Sequence, residues 1–187
     1  MLELGSMLNY QRKCRIALFL SAGARNREWG VDNYGELLAM LNAKFHIEVI
    51  LLGAGENTSL YGKVLESKLI FPVKNLIGKT SLRETAAVLQ QCDFYIGGDT
   101  GPMHMAAACG LRGIAISKHA RDADKSNASS KERFGPWRSE IKFIQPEHSL
   151  PGCKNGCGKP YAHCINSISV DMAMRKCLEF KNLFNGS

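Results

Sequence analysis

The sequence has little that would place it in a membrane, a repeat array or a disordered class. No apolar run approaches the ~18–20 residues that a bilayer-crossing helix needs, and neither internal repeats nor low-complexity segments are present. The remaining composition is ordinary: 187 residues, of which 45% are hydrophobic and 22% charged. Such a chain is long enough to bury one complete core, so we predict one soluble domain.

The N-terminal segment resembles two features that do not belong to a folded domain. Basic residues followed by the apolar residues 16–24 resemble a secretion signal. Because the apolar part is short and begins late, we interpret it as a buried first strand. Residues 1–6 end in Gly-Ser before a second methionine, a pattern typical of a vector-derived leader. We therefore predict a leader at residues 1–6 and a single domain at residues 7–187.

The cysteines argue against a disulfide framework. Their number is odd, and four of the seven lie in apolar segments that resemble strands or helices. This distribution favours a reducing cytosol. The seven are Cys14, Cys92, Cys109, Cys153, Cys157, Cys164 and Cys177.

The net charge of +7 suits a polyanionic ligand or an anionic membrane surface. The basic residues are scattered rather than arranged in a stripe, and no motif of a DNA- or RNA-binding domain accompanies them. We therefore expect no nucleic-acid partner.

Apolar runs alternate with segments of helical periodicity along most of the chain, which predicts βαβ units and a mostly parallel sheet covered on both faces. The expected fold is a doubly wound, Rossmann-like α/β domain of about six strands. Strands are predicted at residues 14–20, 47–52, 75–77, 93–96, 113–117 and 141–144, with residues 118–137 forming a polar loop. One helix is predicted to begin with Asp32 as its cap, and others are predicted at residues 59–67, 102–109 and 170–180. A further helix is predicted after a capping box of Ser81 and Glu84. This helix is expected to face inward with Leu82, Ala86 and Leu89.

The segment IGGDTGPMH, residues 96–104, joins a strand to a helix with unusual backbone freedom. In a sheet of order 3-2-1-4-5-6, ligands bind where the order reverses, between the first and fourth strands. The loops that leave those two strands, residues 21–30 and 97–101, are glycine-rich and polar. We therefore predict the ligand crevice between these two loops.

The helix that follows the second loop is suited to bind an anion at its first turn. Pro102 fits the first helical position, and the amides of Gly101, Met103 and His104 are then expected to be free donors at the positive end of the helix dipole. We expect Thr100 to add a hydroxyl donor.

The other residues of the junction have supporting roles in this interpretation. We expect Gly97, Gly98 and Gly101 to let the backbone come close to a ligand and to accept conformations forbidden to other residues. We expect Asp99 to brace the loop or to accept from a sugar hydroxyl. The structural alternative is that the glycines only turn the chain and that His104 packs under the sheet.

Two adjoining segments, LIGKTSLRETAAVLQQCDFYI (76–96) and GGDTGPMHMAAACG (97–110), resemble the signature of glycosyltransferase family 9, the ADP-heptose:lipopolysaccharide heptosyltransferases. The resemblance covers most of residues 14–180. It implies the C-terminal, nucleotide-sugar-binding domain of a two-domain GT-B fold. It also implies an ADP-sugar donor and no cofactor.

Further landmarks of the family map onto individual residues. Ser21 and Gly23 match a small-residue turn, and Arg27 stands where a phosphate-contacting lysine is usual. Glu56 matches an acid near the ribose, and Lys79 matches a basic residue of the Gly-Lys-Thr motif. Solvated loop charges are the alternative for Arg27 and Lys79, and capping of the next helix is the alternative for Glu56.

Two loops resemble the family less clearly. Residues 133–137 resemble a Gly-Pro loop near the end of the nucleotide site. Cys153, Cys157 and Cys164 resemble a cysteine-rich loop present in many members. Together with His163 the cysteines could ligate zinc, but adjacent His163 and Cys164 are poorly suited to one tetrahedral site and no CxxC pair is present. We therefore predict no metal site, with free thiols or a conditional disulfide instead.

In the family, an acceptor-binding half with the proposed general base lies N-terminal to everything seen here. The resemblance therefore implies one half of an inverting transferase for lipopolysaccharide core synthesis, with no catalytic residue in this chain and little transfer alone. Its acceptor is expected to be a saccharide or lipopolysaccharide core, and its location cytoplasmic, with peripheral contact at the inner membrane. The alternatives are a non-catalytic nucleotide- or anion-binding module that works with a partner chain, and an NAD-type dehydrogenase, which the missing G-x-G-x-x-G fingerprint disfavours.

Overall fold

The structure, a computed structural model that describes residues 13–184, contains one six-stranded parallel sheet. The strands are β1 (Cys14–Phe19), β2 (Ile47–Leu52), β3 (Val73–Asn75), β4 (Phe94–Gly98), β5 (Arg112–Ile116) and β6 (Ile141–Ile144). Their order in the sheet is β3-β2-β1-β4-β5-β6, as the sequence predicts for a doubly wound fold. The predicted leader at residues 1–6 lies outside the described residues.

Helices cover both faces of the sheet, and each face has its own apolar core. The helices are α1 (Val31–Asn42), α2 (Glu56–Lys68), α3 (Leu82–Leu89), α4 (Gly101–Ala108), α5 (Lys131–Phe134), α6 (Val170–Leu178) and α7 (Lys181–Phe184). One core joins α1 and the C-terminal helices to the sheet, and the other joins α3 and α4 to the opposite face. Between residues 13 and 184, no helix has the length and apolar character required to span a bilayer.

The helix starts show which local signals decide the structure. The Ser81 hydroxyl accepts from the Glu84 amide, and the Glu84 carboxylate accepts from the Ser81 amide, so the predicted capping box is confirmed. The prediction that Asp32 caps α1 is wrong, because Gly30 occupies that position with φ 96°. Asp32 instead lies in the first turn and pairs with Lys68 at 2.7 Å.

Several predicted boundaries and one predicted core residue differ from the structure. The third strand lies at Val73–Asn75 rather than at residues 75–77, and α2 begins three residues earlier than predicted, at Glu56. Leu82, predicted to face inward, is 77% exposed because it occupies the first helical position, directly after the cap. The inward prediction is confirmed for Leu89, Ala86 is half-buried, and Thr85 is the second buried residue of α3.

The pairing of β1 with β4 ends before β4 does. The last pair between these strands is Leu18 with Ile96, whereas β4 continues beside β5 to Gly98, which pairs with Ile116. The sheet therefore opens between β1 and β4 at its carboxyl edge. This opening places a crevice at the carboxyl ends of β1 and β4.

Candidate functional site

A cleft of about 480 Å³ lies at the carboxyl edge of the sheet, at the reversal of strand order where the sequence predicts it. It is bordered by the segments that follow β1, β2 and β4. Six of the predicted site residues line it: Ser21, Gly23, Glu56, Thr100, Gly101 and Pro102. The structure therefore brings together residues that are up to 81 positions apart in the sequence.

The start of α4 opens into this cleft. A Cβ atom added at Gly101 would meet nothing within 4 Å, and its amide donates to no residue between 13 and 184. Met103 does not fit the prediction of a free donor, because its amide donates to the Thr100 carbonyl at 3.0 Å and its side chain is buried in the core. The Gly101 amide, at the positive end of the helix dipole, is thus a donor available to a ligand in the cleft.

Thr100 stands at the cap position of α4 but does not cap it. Its backbone is extended (φ −149°, ψ 176°), and its hydroxyl makes no capping hydrogen bond. The hydroxyl lies 3.5 Å from the Gly98 carbonyl, which is too long for a strong hydrogen bond, and it is close to the buried Tyr95 hydroxyl. Because these contacts are weak, the Thr100 hydroxyl can donate to a molecule in the cleft.

The glycines before Thr100 serve close packing rather than unusual backbone angles. None of Gly97, Gly98 and Gly101 has a positive φ, so the prediction of special conformations is wrong. A Cβ atom at Gly97 would lie 2.5 Å from the Tyr95 hydroxyl, which is buried and donates to the Gly98 carbonyl at 2.9 Å. Gly97 is therefore required so that Tyr95 can fit beneath the loop.

A second helix start, that of α2, borders the same cleft. Gly55 precedes it with φ 96°, and Glu56 is its first residue. The Thr58 hydroxyl is buried and lies 2.6 Å from the Ser21 hydroxyl, which connects α2 to the segment after β1. Two positive helix ends, those of α2 and α4, therefore face one cavity, which favours an anion there.

Carboxylates occupy another side of the cleft. Glu28 lines it and accepts from the Tyr61 hydroxyl at 3.1 Å, and Glu56 lines it as an exposed residue. Carboxylates accept hydrogen bonds well but repel phosphate, so these two are suited to sugar hydroxyl groups.

Arg27 does not line the main cleft but borders a small gap beside it, together with Asp99 and Lys118. Burial raises the pKa of Asp99 above its usual range, although the charges of Arg27 and His104 and the Ser117 hydroxyl oppose that shift. Burial, and then repulsion by Arg27, lower the pKa of Lys118. Two cationic side chains are thus held near one half-buried carboxylate.

Two further predicted residues, Lys79 and His104, line neither the cleft nor the small gap. Lys79 is exposed and donates through Nζ to the Asn75 carbonyl at 2.9 Å, which fits the alternative of a surface loop residue. His104 is exposed on α4, so the alternative that it packs under the sheet is wrong. The segment 133–137 does not line the cleft either, and its Trp137 is 83% exposed.

Sequence reasoning missed several polar residues of this region. Glu28, Asn57 and Thr58 line the cleft, and Lys118 borders the small gap. Each follows the end of a strand, the position where parallel sheets bind ligands, and this signal could have identified them.

The cysteine-rich loop lies between β6 and α6. Cys153, Cys157 and Cys164 are buried together, and His163 stands beside them. Although His163 and Cys164 are adjacent in the sequence, the structure brings the ligand atoms of all four residues within 4.8 Å of one another. At His163 the backbone leaves the usual strand and helix angles (φ −131°, ψ −87°), which makes this convergence possible.

Comparison with known proteins gives a consistent family and fold. Residues 6–156 match glycosyltransferase family 9 (heptosyltransferase). The curated protein "Lipooligosaccharide heptosyltransferase 2" of Campylobacter jejuni is 22% identical over 168 residues, which are 86% of this chain and 48% of that protein.

Two solved structures share the fold. E. coli ADP-heptose lps heptosyltransferase II superimposes with a TM-score of 0.68 at 20% identity, covering 95% of this chain and 48% of that one. E. coli heptosyltransferase WaaC with ADP superimposes with a TM-score of 0.67 at 17% identity, covering 93% of this chain and 46% of that one. The chain therefore spans about half the length of the relatives it matches.

Proposed function

Because the chain belongs to glycosyltransferase family 9, we propose that it is the nucleotide-sugar-binding half of a heptosyltransferase for lipopolysaccharide core synthesis. Its donor substrate is an ADP-linked heptose or a related ADP-sugar. The observation that supports this proposal most strongly is the start of α4, which opens into a cleft at the reversal of strand order. A structural neighbour is described with ADP, and its match covers 93% of this chain.

The diphosphate of the donor is assigned to the helix starts. The Gly101 amide and the Thr100 hydroxyl donate to its oxygens, and the dipoles of α2 and α4 stabilise its charge. Arg27 and Lys118 lie beside the α4 start and add positive charge there. Glu28 and Glu56 accept from hydroxyl groups of the nucleoside or the sugar.

The proposed reaction is an inverting displacement at the anomeric carbon of the sugar. An acceptor hydroxyl oxygen attacks this carbon, the bond to the diphosphate oxygen breaks, and ADP leaves with the bonding pair. Negative charge grows on the departing diphosphate, and the fixed donors of this chain stabilise it. We assign the base that takes the hydroxyl proton to the other half of the enzyme, together with the saccharide or lipopolysaccharide-core acceptor.

We further propose that this reaction takes place in the cytoplasm, at the inner face of the inner membrane, where the acceptor is presented. The net charge of +7 suits such an anionic surface. The relevant contact is peripheral.

Calorimetric titration with ADP, UDP and NAD tests the binding proposal. We expect ADP to bind and the other two to bind at least about tenfold more weakly, which corresponds to about 1.4 kcal/mol of discrimination. Gly101→Leu fills the open space at the start of α4 without a forbidden backbone angle, so it should abolish ADP binding and leave the melting temperature unchanged.

Ala108→Leu is the matched control, because residue 108 is exposed at the other end of the same helix. It should bind ADP like the parent chain. Indifference of the parent chain to all three nucleotides would contradict the proposal, and so would full ADP affinity in Gly101→Leu.

A further inference from the structure

The loop between β6 and α6 contains a cluster of four potential metal ligands outside the proposed nucleotide site. The Nδ1 atom of His163 lies 3.6 Å from the Cys153 sulfur, 3.7 Å from the Cys157 sulfur and 3.5 Å from the Cys164 sulfur. The four ligand atoms lie within 4.8 Å of one another. Cys153, Cys157, His163 and Cys164 thus form a compact thiol–histidine cluster.

Hydrogen bonds do not explain this arrangement. A ring nitrogen of histidine carries either one proton or one lone pair, so it makes one good hydrogen bond and not three. Here three sulfurs surround the same Nδ1 atom of His163 at nearly equal distances. Three thiol sulfurs gathered around one ring nitrogen at nearly equal distances are the arrangement expected around an ion.

The distances fit tetrahedral coordination. With metal–sulfur and metal–nitrogen bonds of about 2.3 Å and 2.05 Å, a tetrahedral angle separates nitrogen from sulfur by about 3.6 Å. The three measured separations range from 3.5 Å to 3.7 Å. An ion can therefore bind with almost no movement of the His163 ring relative to the three sulfurs.

The local backbone allows the convergence. The Gly156 amide donates to the Cys153 carbonyl at 2.9 Å, and Gly156 has φ 110°, which closes a turn that returns the chain to Cys157. The unusual backbone at His163 then directs adjacent His163 and Cys164 to the same centre. These turns explain how a spacing without a CxxC pair still forms a four-ligand group.

We propose that Cys153, Cys157, His163 and Cys164 bind a single thiophilic transition-metal ion, Zn²⁺ or iron, in a closed tetrahedral site. Three sulfurs and one imidazole are the donor set that these ions prefer. Because four protein ligands complete the coordination, the ion is structural and leaves no position for a substrate.

The loop itself shows why an ion is required. Within the described chain, the small core of this loop consists of the three thiols with Leu150 packed against them. Its only regular element is a single 3₁₀ turn, Cys164–Ser167. Ile165 and Ile168 anchor the end of the loop in the main core, so the ion is needed for residues 150–164, where the thiols and Leu150 bury little apolar surface and metal binding contributes directly to folding.

The ordered loop supports the nucleotide site through backbone carbonyls. Lys118 donates through Nζ to the Cys157 carbonyl at 2.8 Å, and the Asn26 side chain donates to the Lys159 carbonyl. Asn26 belongs to the 3₁₀ turn Arg25–Arg27, so both cations near the α4 start are positioned by this loop. Three thiolates and a divalent ion carry a net charge of −1, which the adjacent Lys118 balances.

Metal analysis by mass spectrometry of the protein, purified without chelators from medium that contains both zinc and iron, tests the site. We expect about one ion per chain, as required by one four-ligand centre. A colourless protein with zinc identifies Zn²⁺, and a coloured protein with thiolate-to-iron absorption identifies iron. Titration with Co²⁺ should give the visible absorption of tetrahedral thiolate coordination.

Substitutions provide the matched controls. Cys157→Ser should lose the ion, His163→Cys should retain it with four sulfurs, and Cys92→Ser and Cys109→Ser, which change half-buried thiols elsewhere, should retain it. Protein without metal that also fails to bind Co²⁺ overturns the proposal, even if a variant fails to fold. Retention of the ion by Cys157→Ser, or a disulfide within the cluster found by mass spectrometry, overturns it equally.

The link to the nucleotide site rests on the proposed function and has its own readout. The metal-free protein is expected to bind ADP about tenfold more weakly, because the charge-assisted contacts of Arg27 and Lys118 lose their support. If ADP does not bind the metal-loaded protein, the proposed function fails while the metal content still supports the site. If ADP affinity does not depend on the ion, the positioning role is wrong.

Discussion

At the scale of single residues, the site depends on a few contacts that tolerate little change. Gly97 lies over the Tyr95 ring, Gly101 faces open space, and Asp99 is half-buried between cations. A larger side chain should therefore lower the stability of the fold at Gly97 but not at Gly101, although both residues are glycines.

Gly97→Ala is expected to destabilise the domain. The added methyl group would lie 2.5 Å from the Tyr95 hydroxyl and 3.2 Å from the Phe19 Cβ atom, so buried groups must move. Overpacking of this kind costs about 1–3 kcal/mol of unfolding free energy, measurable by urea denaturation. Gly98→Ala is the control, because its nearest contacts are 3.7 Å or longer. Equal stability of the two variants would contradict this explanation.

Asp99→Asn is expected to raise the free energy of unfolding at neutral pH. Since burial raises the pKa of Asp99, the folded protein holds the proton at higher pH than the unfolded chain, and ionisation at neutral pH costs stability. That loss disappears as the pH falls below the ordinary value of about 3.9. The gain from Asn should therefore be present at pH 7 and absent in acid.

Asp122→Asn is the control of opposite sign. A hydrogen bond from the Ser149 amide lowers the pKa of Asp122, so its carboxylate stabilises the fold above the ordinary pKa and loses that effect in acid. Its neutralisation should destabilise the protein at pH 7. The same direction of change in both variants would be inconsistent with these pKa shifts.

At the scale of elements, the sequence predicts what depends on neighbours along the chain. The bounds of β2 and β6 and the capping box of α3 are confirmed, because alternation and capping are local signals. The ends of β4 and the start of α2 were missed. Gly97 and Gly98 pair with β5 although glycine is a poor strand former, and Gly55 begins α2 through its positive φ.

Ser81→Ala tests the best-defined helix start. The substitution removes the hydroxyl that accepts from the Glu84 amide, and the loss of such a cap costs about 1 kcal/mol. Ser67→Ala is the control, since the Ser67 hydroxyl only donates to the Val64 carbonyl within α2. Chemical denaturation should separate the two variants, and an equal effect would show that the capping box is not important for stability.

At the scale of the whole molecule, the cleft is predictable but its border is not. The order of strands places the crevice at the ends of β1 and β4, and Ser21 and Thr100 line it accordingly. Lys118 and its neighbours were missed because their positions depend on the cysteine-rich loop. No periodicity of the sequence reveals how that loop packs, since its contacts are long-range hydrogen bonds to carbonyls.

The chain on its own is expected to bind the donor without transferring its sugar efficiently. It spans about half the length of its relatives, and the proposed base and acceptor site belong to the other half. An assay of sugar transfer from ADP-heptose to a lipopolysaccharide-core acceptor should give no turnover above background, while calorimetry shows ADP binding. Normal turnover by this chain would refute the assignment of the base.

The two edge strands of the sheet affect how the protein behaves at high concentration. β3 has three residues and β6 has four, and each presents a solvent-exposed lysine, Lys74 and Lys142. Short, charged borders give little template for strands of another copy to join. Concentrated samples should therefore resist fibrillar association through the sheet margins, and neutralising both lysines is the change that would weaken this protection.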